Sequence, residues 1–288
     1  MQIDMIEDYR VKLDHLKQIL RDTGGCAVAY SGGVDSSLLV TVAHEVLADR
    51  CLAVIATSST YPQRELRSAV EFVQTRGIPH VVIESEELDI PEFACNPTDR
   101  CYYCKRELFG KVREQAQARG LAFVADGANA DDARDFRPGL RAGREAGVLS
   151  PLRESGLGKE AVRLIAREVY SLPVADKPAM ACLSSRFRYG DTITREKLRQ
   201  VEEIEDFLYS QGMRTFRARH HGDLVRLELG PGEMAAIQAA DLREACVAFA
   251  KSRGFAYVTL DLEGFRSGSM NEVLEAGQED VRTRGDHQ

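Results

Sequence analysis

The segment 26-CAVAYSGGVDSSLLV-40 constrains this chain more than any other. Its apolar run 26-CAVAY-30 reads as a buried strand, and Leu38, Leu39, Val42, Ala43, Val46 and Leu47 recur at the spacing of one helix face. Between them, Gly32 and Gly33 make a tight strand-to-helix turn. Its backbone N–H groups stay unpaired and converge on one point, with the positive end of a helix dipole behind them. Such a turn is a seat for phosphate: the glycines let the backbone approach, Ser31, Ser36 and Ser37 add hydroxyls, and Asp35 suits a magnesium ion or a donor. The spacing matches neither G-x-x-x-x-G-K-[ST] nor G-x-G-x-x-G, so the loop carries no lysine of its own.

Around this loop, strands and helices alternate. Strands are predicted at 52-LAVIAT-57, 80-HVVIE-84 and 121-LAFVADG-127, with helices near 62–77, 104–120 and 158–170. This is the rhythm of an α/β, doubly wound parallel sheet, which binds ligands beyond the carboxyl ends of its strands. From about residue 190 the pattern changes to a helix near 194–212, strands at 214–221 and 223–229, a helix near 232–254 and a strand at 256–262. The expected organisation is therefore a nucleotide-binding domain over 1–188, a smaller α+β domain over 189–276 for substrate binding or oligomerisation, and a frayed tail over 277–288.

Composition narrows the function classes. Of 288 residues 44% are hydrophobic and 29% charged, which gives ample core for a globular chain. No run of apolar residues is long enough to span a bilayer, and the start, MQIDMIEDYRVKLDHL, is acidic and amphipathic, unlike a signal peptide. The expectation is a cytoplasmic protein with no membrane partner. A net charge of −7 argues against a large nucleic-acid surface. Seven cysteines in such a chain are thiols, ligands or nucleophiles before they are disulfides.

Four further stretches sharpen the reading: 97-PTDRCYYCKRELF-109, 126-DGANADDARDFRPGLRA-142, 176-DKPAMACLSSRFRYG-190 and 257-YVTLDLEGFRSGSMNEVL-274. With the Ser-Gly-Gly-Val-Asp-Ser loop and 214-RTFRARHHGDLVRLEL-229 they resemble, in order and over nearly the whole chain, the LarE family of ATP-dependent sulfur transferases. That family lies within the PP-loop ATP pyrophosphatases. The resemblance implies an enzyme that cleaves ATP between the α- and β-phosphates and places AMP on a carboxylate of pyridinium-3,5-biscarboxylic acid mononucleotide. Sulfur then replaces the activated oxygen, giving the bisthiocarboxylate precursor of the nickel-pincer nucleotide cofactor of lactate racemase. It also implies magnesium and a homo-oligomer.

Site residues follow from the resemblance position by position. Ser31, Gly32, Gly33, Asp35 and Ser36 would hold the phosphates of ATP, Thr57 would lie beside the nucleoside, and Gly127 would let the adenylate approach. The charged run Asp131, Asp132, Asp135 and Arg137 follows Gly127 and is a candidate for substrate or metal contact. Ser184, Ser185 and Arg186 would orient the substrate. Arg217 and Arg219, two residues apart and so on one strand face, are candidates for the mononucleotide phosphate, with Arg266 and Ser267 completing the clamp.

The sulfur source divides the family. In one form a cysteine thiolate attacks the adenylate and loses its own sulfur, leaving dehydroalanine; Cys182 occupies that place. In the other, three cysteines hold a 4Fe-4S cluster whose fourth iron carries a sulfide for transfer, from a sulfide source or donor protein. Cys101 and Cys104 form C-Y-Y-C, and with Cys182 they give three thiolates, so the cluster is the favoured expectation. A zinc site with Cys95 as fourth ligand and a dithiol redox pair are the competing readings of the same residues. Cys26, Cys51 and Cys246 fit core packing. A tRNA thiolase would share the loop and the cysteines but would need a basic RNA-binding face. An amide synthetase would not need C-Y-Y-C, and a regulatory nucleotide-binding module would not need the intact loop.

Overall fold

The computed structural model of the protein describes residues 2–134, 138–178, 181–266 and 269. Backbone contacts divide the chain into two compact units, one made of Met1–Phe93 and Thr98–Ala181, the other of Ala94–Pro97 and the chain from Cys182 onward.

The first unit begins with α1 (Gln2–Thr23), β1 (Cys26–Ala29), α2 (Val34–Leu47), β2 (Cys51–Thr57), α3 (Gln63–Thr75) and β3 (His80–Glu84). It continues with α4 (Pro91–Ala94), whose last residue already belongs to the second unit, then α5 (Arg100–Gln117) and β4 (Phe123–Ala125), and closes with α6 (Pro138–Glu145), α7 (Pro151–Glu154) and α8 (Lys159–Glu168). The strands form one parallel sheet in the order β3-β2-β1-β4. All four residues of β1 are buried, because apolar layers cover both faces of the sheet. Leu16, Leu20, Leu38, Leu39 and Val42 pack with Cys26 and Val28 in one layer. Phe109, Val112 and Ala116 of α5 pack with Ala27, Ala29, Leu52 and Val54 in the other. This is the expected doubly wound α/β architecture.

The sheet positions the site through its order. From β1 the chain winds outward to β2 and β3, then returns to place β4 on the other side of β1. The strand order thus reverses between β1 and β4, and the crevice at their carboxyl ends is the ligand position of such folds. The Gly-Gly loop leaves β1 at that point.

The second unit holds α9 (Arg195–Ser210), β5 (Phe216–His221), β6 (Leu224–Leu229), α10 (Pro231–Ala236), α11 (Ala240–Ser252) and β7 (Tyr257–Leu260). Thr194 caps α9, its side chain accepting the Lys197 N–H. β5 and β6 are an antiparallel hairpin turned at Gly222, whose φ of +72° is a glycine conformation, and β7 joins β6 in parallel after the helical crossover. The single long helix expected near 232–254 is instead α10 and α11, with Ile237, Gln238 and Ala239 between them. Ala94–Pro97 joins this unit through buried Asn96, which donates to the Arg188 carbonyl at 2.6 Å. Among the described residues no helix is long and apolar enough to cross a membrane. The expected tail, 277–288, lies outside the described residues.

Candidate functional site

In the first unit, the loop after β1 has the geometry its sequence requires. Gly32 adopts φ +67°, and a Cβ there would meet the Ala69 Cβ at 3.0 Å. Gly33 is the N-cap of α2 and contributes no side-chain cap, so the N–H groups opening the helix point into the crevice without one. Ser36 is buried, and its hydroxyl bonds the Gly33 carbonyl and the Ser31 hydroxyl, each at 3.1 Å. The Ser37 hydroxyl turns the other way, to the Tyr30 hydroxyl, whose pKa burial pushes up to about 12. Thr57 ends β2 at the same side of the sheet. Gly127 follows β4, and a Cβ there would lie 2.9 Å from the Ser36 backbone nitrogen. Its glycine lets the exit of β4 close against the first turn of α2.

Asp35 stands at the centre of a closed ring of contacts. Its Oδ1 accepts from Asn129 Nδ2 at 3.1 Å, and its Oδ2 is ion-paired with Lys159 Nζ. Asn129 is buried, and its own Oδ1 accepts the Asp131 N–H at 2.9 Å. Asp131 Oδ2 in turn accepts the Lys159 N–H at 2.7 Å, capping α8 from outside, and Gly158 makes room for that carboxylate. Asp132 Oδ2 accepts the Asn129 N–H at 2.9 Å. The acidic run therefore builds the loop around Asp35, while Asp135 and Arg137 lie outside the described residues. A second lysine reaches the turn: Lys177 Nζ donates to the Gly32 carbonyl at 3.1 Å and pairs with buried Glu65 at 2.5 Å. Tyr61 donates its hydroxyl to the Ser31 carbonyl at 3.0 Å.

Asn129, Lys159, Lys177 and Tyr61 were not legible from the loop motif. A signal for Lys159 does exist in the sequence, since a lysine in the first turn of a helix opposes the helix dipole and calls for an anion nearby.

Cys101 and Cys104 lie in the first two turns of α5, which begins at Arg100, four residues before the sequence pattern suggested. They are three positions apart and share a helix face. Cys101 is exposed and Cys104 half-buried, its thiol donating to Glu87 Oε1 at 3.4 Å. Burial raises the pKa of Glu87. Two thiols so placed suit one metal centre. Cys95 and Cys182 belong to the second unit, and among the described residues no group of three His, Cys, Asp or Glu side chains is gathered to hold a metal ion. Cys26 and Cys51 are buried core thiols whose pKa values desolvation pushes up to about 12.

In the second unit, half-buried Cys182 opens a single turn, Leu183–Arg186, that two arginines grip at both ends. Arg186, with no exposed surface, donates from Nη1 to the Cys182 carbonyl at 3.1 Å and forms a forked pair with buried Glu205 at 2.9 and 2.8 Å. Arg219 is also buried; it donates to the Ser185 carbonyl at 2.7 Å, to Glu228 at 2.7 Å and to Ser269 at 2.8 Å. The Ser185 hydroxyl donates back to the Cys182 carbonyl at 2.9 Å. Ser184 Oγ is buried and has no hydrogen-bond partner among the described residues. Arg217 shares the strand face of Arg219 and lies over the Phe265 ring at 5.0 Å. Burial, with Arg186 and Arg219 nearby, pushes its pKa down to about 10. Arg266 pairs with Glu263 at 3.0 Å and approaches Asp261 at 3.6 Å, and Ser267 lies outside the described residues.

Comparison with known proteins places this geometry. Residues 9–122 match the NAD synthase family. The chain is 42% identical over 264 residues to a protein of Synechocystis sp., covering 91% of this chain and 98% of that one. It is 36% identical over 263 residues to the pyridinium-3,5-bisthiocarboxylic acid mononucleotide synthase of Lactiplantibacillus plantarum, covering 90% of this chain and 93% of that enzyme. It is 27% identical over 224 residues to a chain of the glutamine-hydrolysing GMP synthase of Methanococcus maripaludis, covering 72% and 67% respectively.

Proposed function

Because the chain belongs to the family of the pyridinium-3,5-bisthiocarboxylic acid mononucleotide synthase, we propose that it is an ATP-dependent, AMP- and pyrophosphate-forming sulfur transferase acting on a pyridinium biscarboxylate mononucleotide. The observation that carries the proposal is the extent of the likeness: it runs through both compact units, not only through the nucleotide-binding loop that many enzymes share.

The residues divide the chemistry as follows. The turn of Ser31, Gly32, Gly33 and Ser36 and the N-terminus of α2 receive the β- and γ-phosphates. Asp35 offers a carboxylate oxygen to magnesium, a hard cation that prefers such ligands and supplies charge neutralisation to the phosphates when bound. Thr57 and Gly127 flank the nucleoside end. A substrate carboxylate oxygen attacks the α-phosphorus, the bond to the β-phosphate oxygen breaks, and pyrophosphate leaves. The acyl adenylate then has AMP as its leaving group, so a sulfur nucleophile forms the C–S bond and expels AMP. Arg217, a partly desolvated guanidinium among other arginines, gains most from an anion and is the proposed partner of the mononucleotide phosphate. Arg219 and Arg186 shape the Cys182 turn beside Ser184 and Ser185, and Arg266 and Ser267 complete the substrate face.

For the sulfur we propose a 4Fe-4S cluster on Cys101, Cys104 and Cys182, which when bound supplies sulfide for transfer. The shared helix face of Cys101 and Cys104 supports two of its ligands. A second reading is favoured by the partial exposure of Cys182 at the head of its turn: its thiolate attacks the adenylate carbonyl carbon, AMP leaves, and elimination across Cα–Cβ releases the thiocarboxylate with dehydroalanine behind it. The protein is further proposed to act in the cytoplasm and as a homo-oligomer.

The test is oxygen-free purification followed by iron and sulfide analysis, with pyrophosphate release and product mass measured on the biscarboxylate substrate. Iron and sulfide at about four each per chain, lost in Cys101→Ala, are expected. An iron-free protein whose mass falls by that of one hydrogen sulfide per turnover would replace the cluster with the sacrificial route. Absence of substrate-dependent pyrophosphate release would refute the function itself.

A further inference from the structure

A trans peptide points its carbonyl and its N–H in opposite directions, so whatever holds one end aims the other. In the turn after β1 the carbonyl ends are the ones held. Tyr61 donates its hydroxyl to the Ser31 carbonyl at 3.0 Å, and Lys177 Nζ donates to the next carbonyl, that of Gly32, at 3.1 Å. Both holders stand on the α3 side of the turn. Tyr61 lies two residues before α3, Lys177 is paired with Glu65 in the first turn of that helix, and a Cβ on Gly32 would meet Ala69 of the same helix. The N–H groups of Gly32 and Gly33, at the opposite ends of these two peptides, therefore face away from α3, and they meet no acceptor among the described residues.

We propose that Tyr61 is a positioning residue for the nucleotide loop: by fixing the Ser31–Gly32 peptide from behind, it keeps the Gly32 N–H aimed at the place of the β- and γ-phosphates before nucleotide arrives. The inference rests on the nucleotide-activating reading above. Tyr61 is itself fixed by the turn that leaves β2, where its N–H donates to the Ser58 carbonyl at 3.2 Å, and by Pro62, which restricts the backbone before it. Burial and the neighbouring Glu65 raise its pKa, so the hydroxyl keeps the proton it donates. Gly32, at φ +67°, has no side chain to lock the plane from within. Without the hydroxyl the Ser31–Gly32 plane turns over readily, and a ligand then finds the competent orientation only part of the time.

The test removes one oxygen, in Tyr61→Phe of the full chain, and reads two signals. Calorimetric titration with magnesium and a non-hydrolysable α,β-methylene ATP should show binding weakened by about fivefold, the ratio by which one neutral hydrogen bond re-weights the two peptide orientations. AMP, which lacks the β- and γ-phosphates, should change by less than about twofold. In the ligand-free protein labelled with 15N-glycine, the Gly32 amide should gain exchange broadening on the microsecond-to-millisecond timescale in relaxation-dispersion NMR, while Gly25, which precedes β1, stays sharp. Unchanged analogue affinity or an undisturbed Gly32 signal overturns the inference. So does an equal loss of AMP with Gly25 broadened as well, which marks a merely structural residue. An unmodified chain that binds no analogue overturns the parent reading, and the Gly32 signal, read without ligand, still decides whether Tyr61 holds the peptide.

Discussion

Replacement of Glu205 by glutamine isolates the cost of the buried ion pair behind the Cys182 turn. Arg186 has no exposed surface and Glu205 is 3% exposed. The forked bonds at 2.9 and 2.8 Å are joined by the Ala218 N–H on the same carboxylate at 3.1 Å. Glutamine keeps one acceptor but sets its NH2 against an arginine nitrogen, and the guanidinium loses its counter-charge in a dry site. Removing one partner of such a pair costs about 3–5 kcal/mol. For a unit of up to about 100 residues that is a fall in melting temperature of at least about 12 °C.

Circular dichroism during urea and thermal unfolding reads this directly. The double variant Arg186→Met, Glu205→Leu should return to within about 2 kcal/mol of the original, since a hydrophobic pair of similar volume avoids desolvation. It should still lose sulfur transfer, because the Cys182 carbonyl has lost its arginine donor. A loss below about 1 kcal/mol in Glu205→Gln would refute the reasoning, placing the pair in wet surroundings. The pH profile gives a second check. Burial acts to raise the Glu205 pKa, but Arg186 outweighs it and the folded value lies below the usual carboxylate range. Its stabilisation is therefore present above the unfolded carboxylate pKa and lost as pH falls through the lowered folded value. The glutamine variant should lack that acid limb.

Two further perturbations bear on each unit in turn. Gly127→Ala places a Cβ 2.9 Å from the Ser36 backbone nitrogen. It should push β4 from α2 at a cost of about 1–3 kcal/mol, seen as a lower melting temperature and weaker nucleotide binding by titration calorimetry. His220, packed between Phe187 and Phe255, has its pKa pushed from 6.5 down to about 4, chiefly by burial. The unfolded chain binds that proton first, so stability should fall as pH drops from about 6.5 to about 4 and level off below. In His220→Gln an acid titration followed by tyrosine fluorescence should show this limb missing; its persistence would assign the acid sensitivity elsewhere.

The sequence by itself determined the nucleotide-binding unit. Strand, Gly-Gly turn and helix are adjacent in the chain, their periodicities are local, and the alternation that follows allows few topologies. Gly32 was legible because a left-handed turn has a local signature. The C-Y-Y-C pair was also visible, although the start of α5 was not, since Arg100 carries no apolar signal and is buried only by tertiary packing. What the tertiary structure decided is which charges meet. Asp35, Asn129, Asp131 and Lys159 come from α2, the loop after β4 and the start of α8, and only the fold closes them into a ring. Arg186 and Arg219 likewise stand in the sequence without visible partners, and in the structure they pair with buried Glu205 and Glu228 and donate to the carbonyls of the Cys182 turn. Local periodicity records where a chain bends and which face it buries. It does not record the partner of a long charged side chain, because that partner is chosen by desolvation once distant segments have packed.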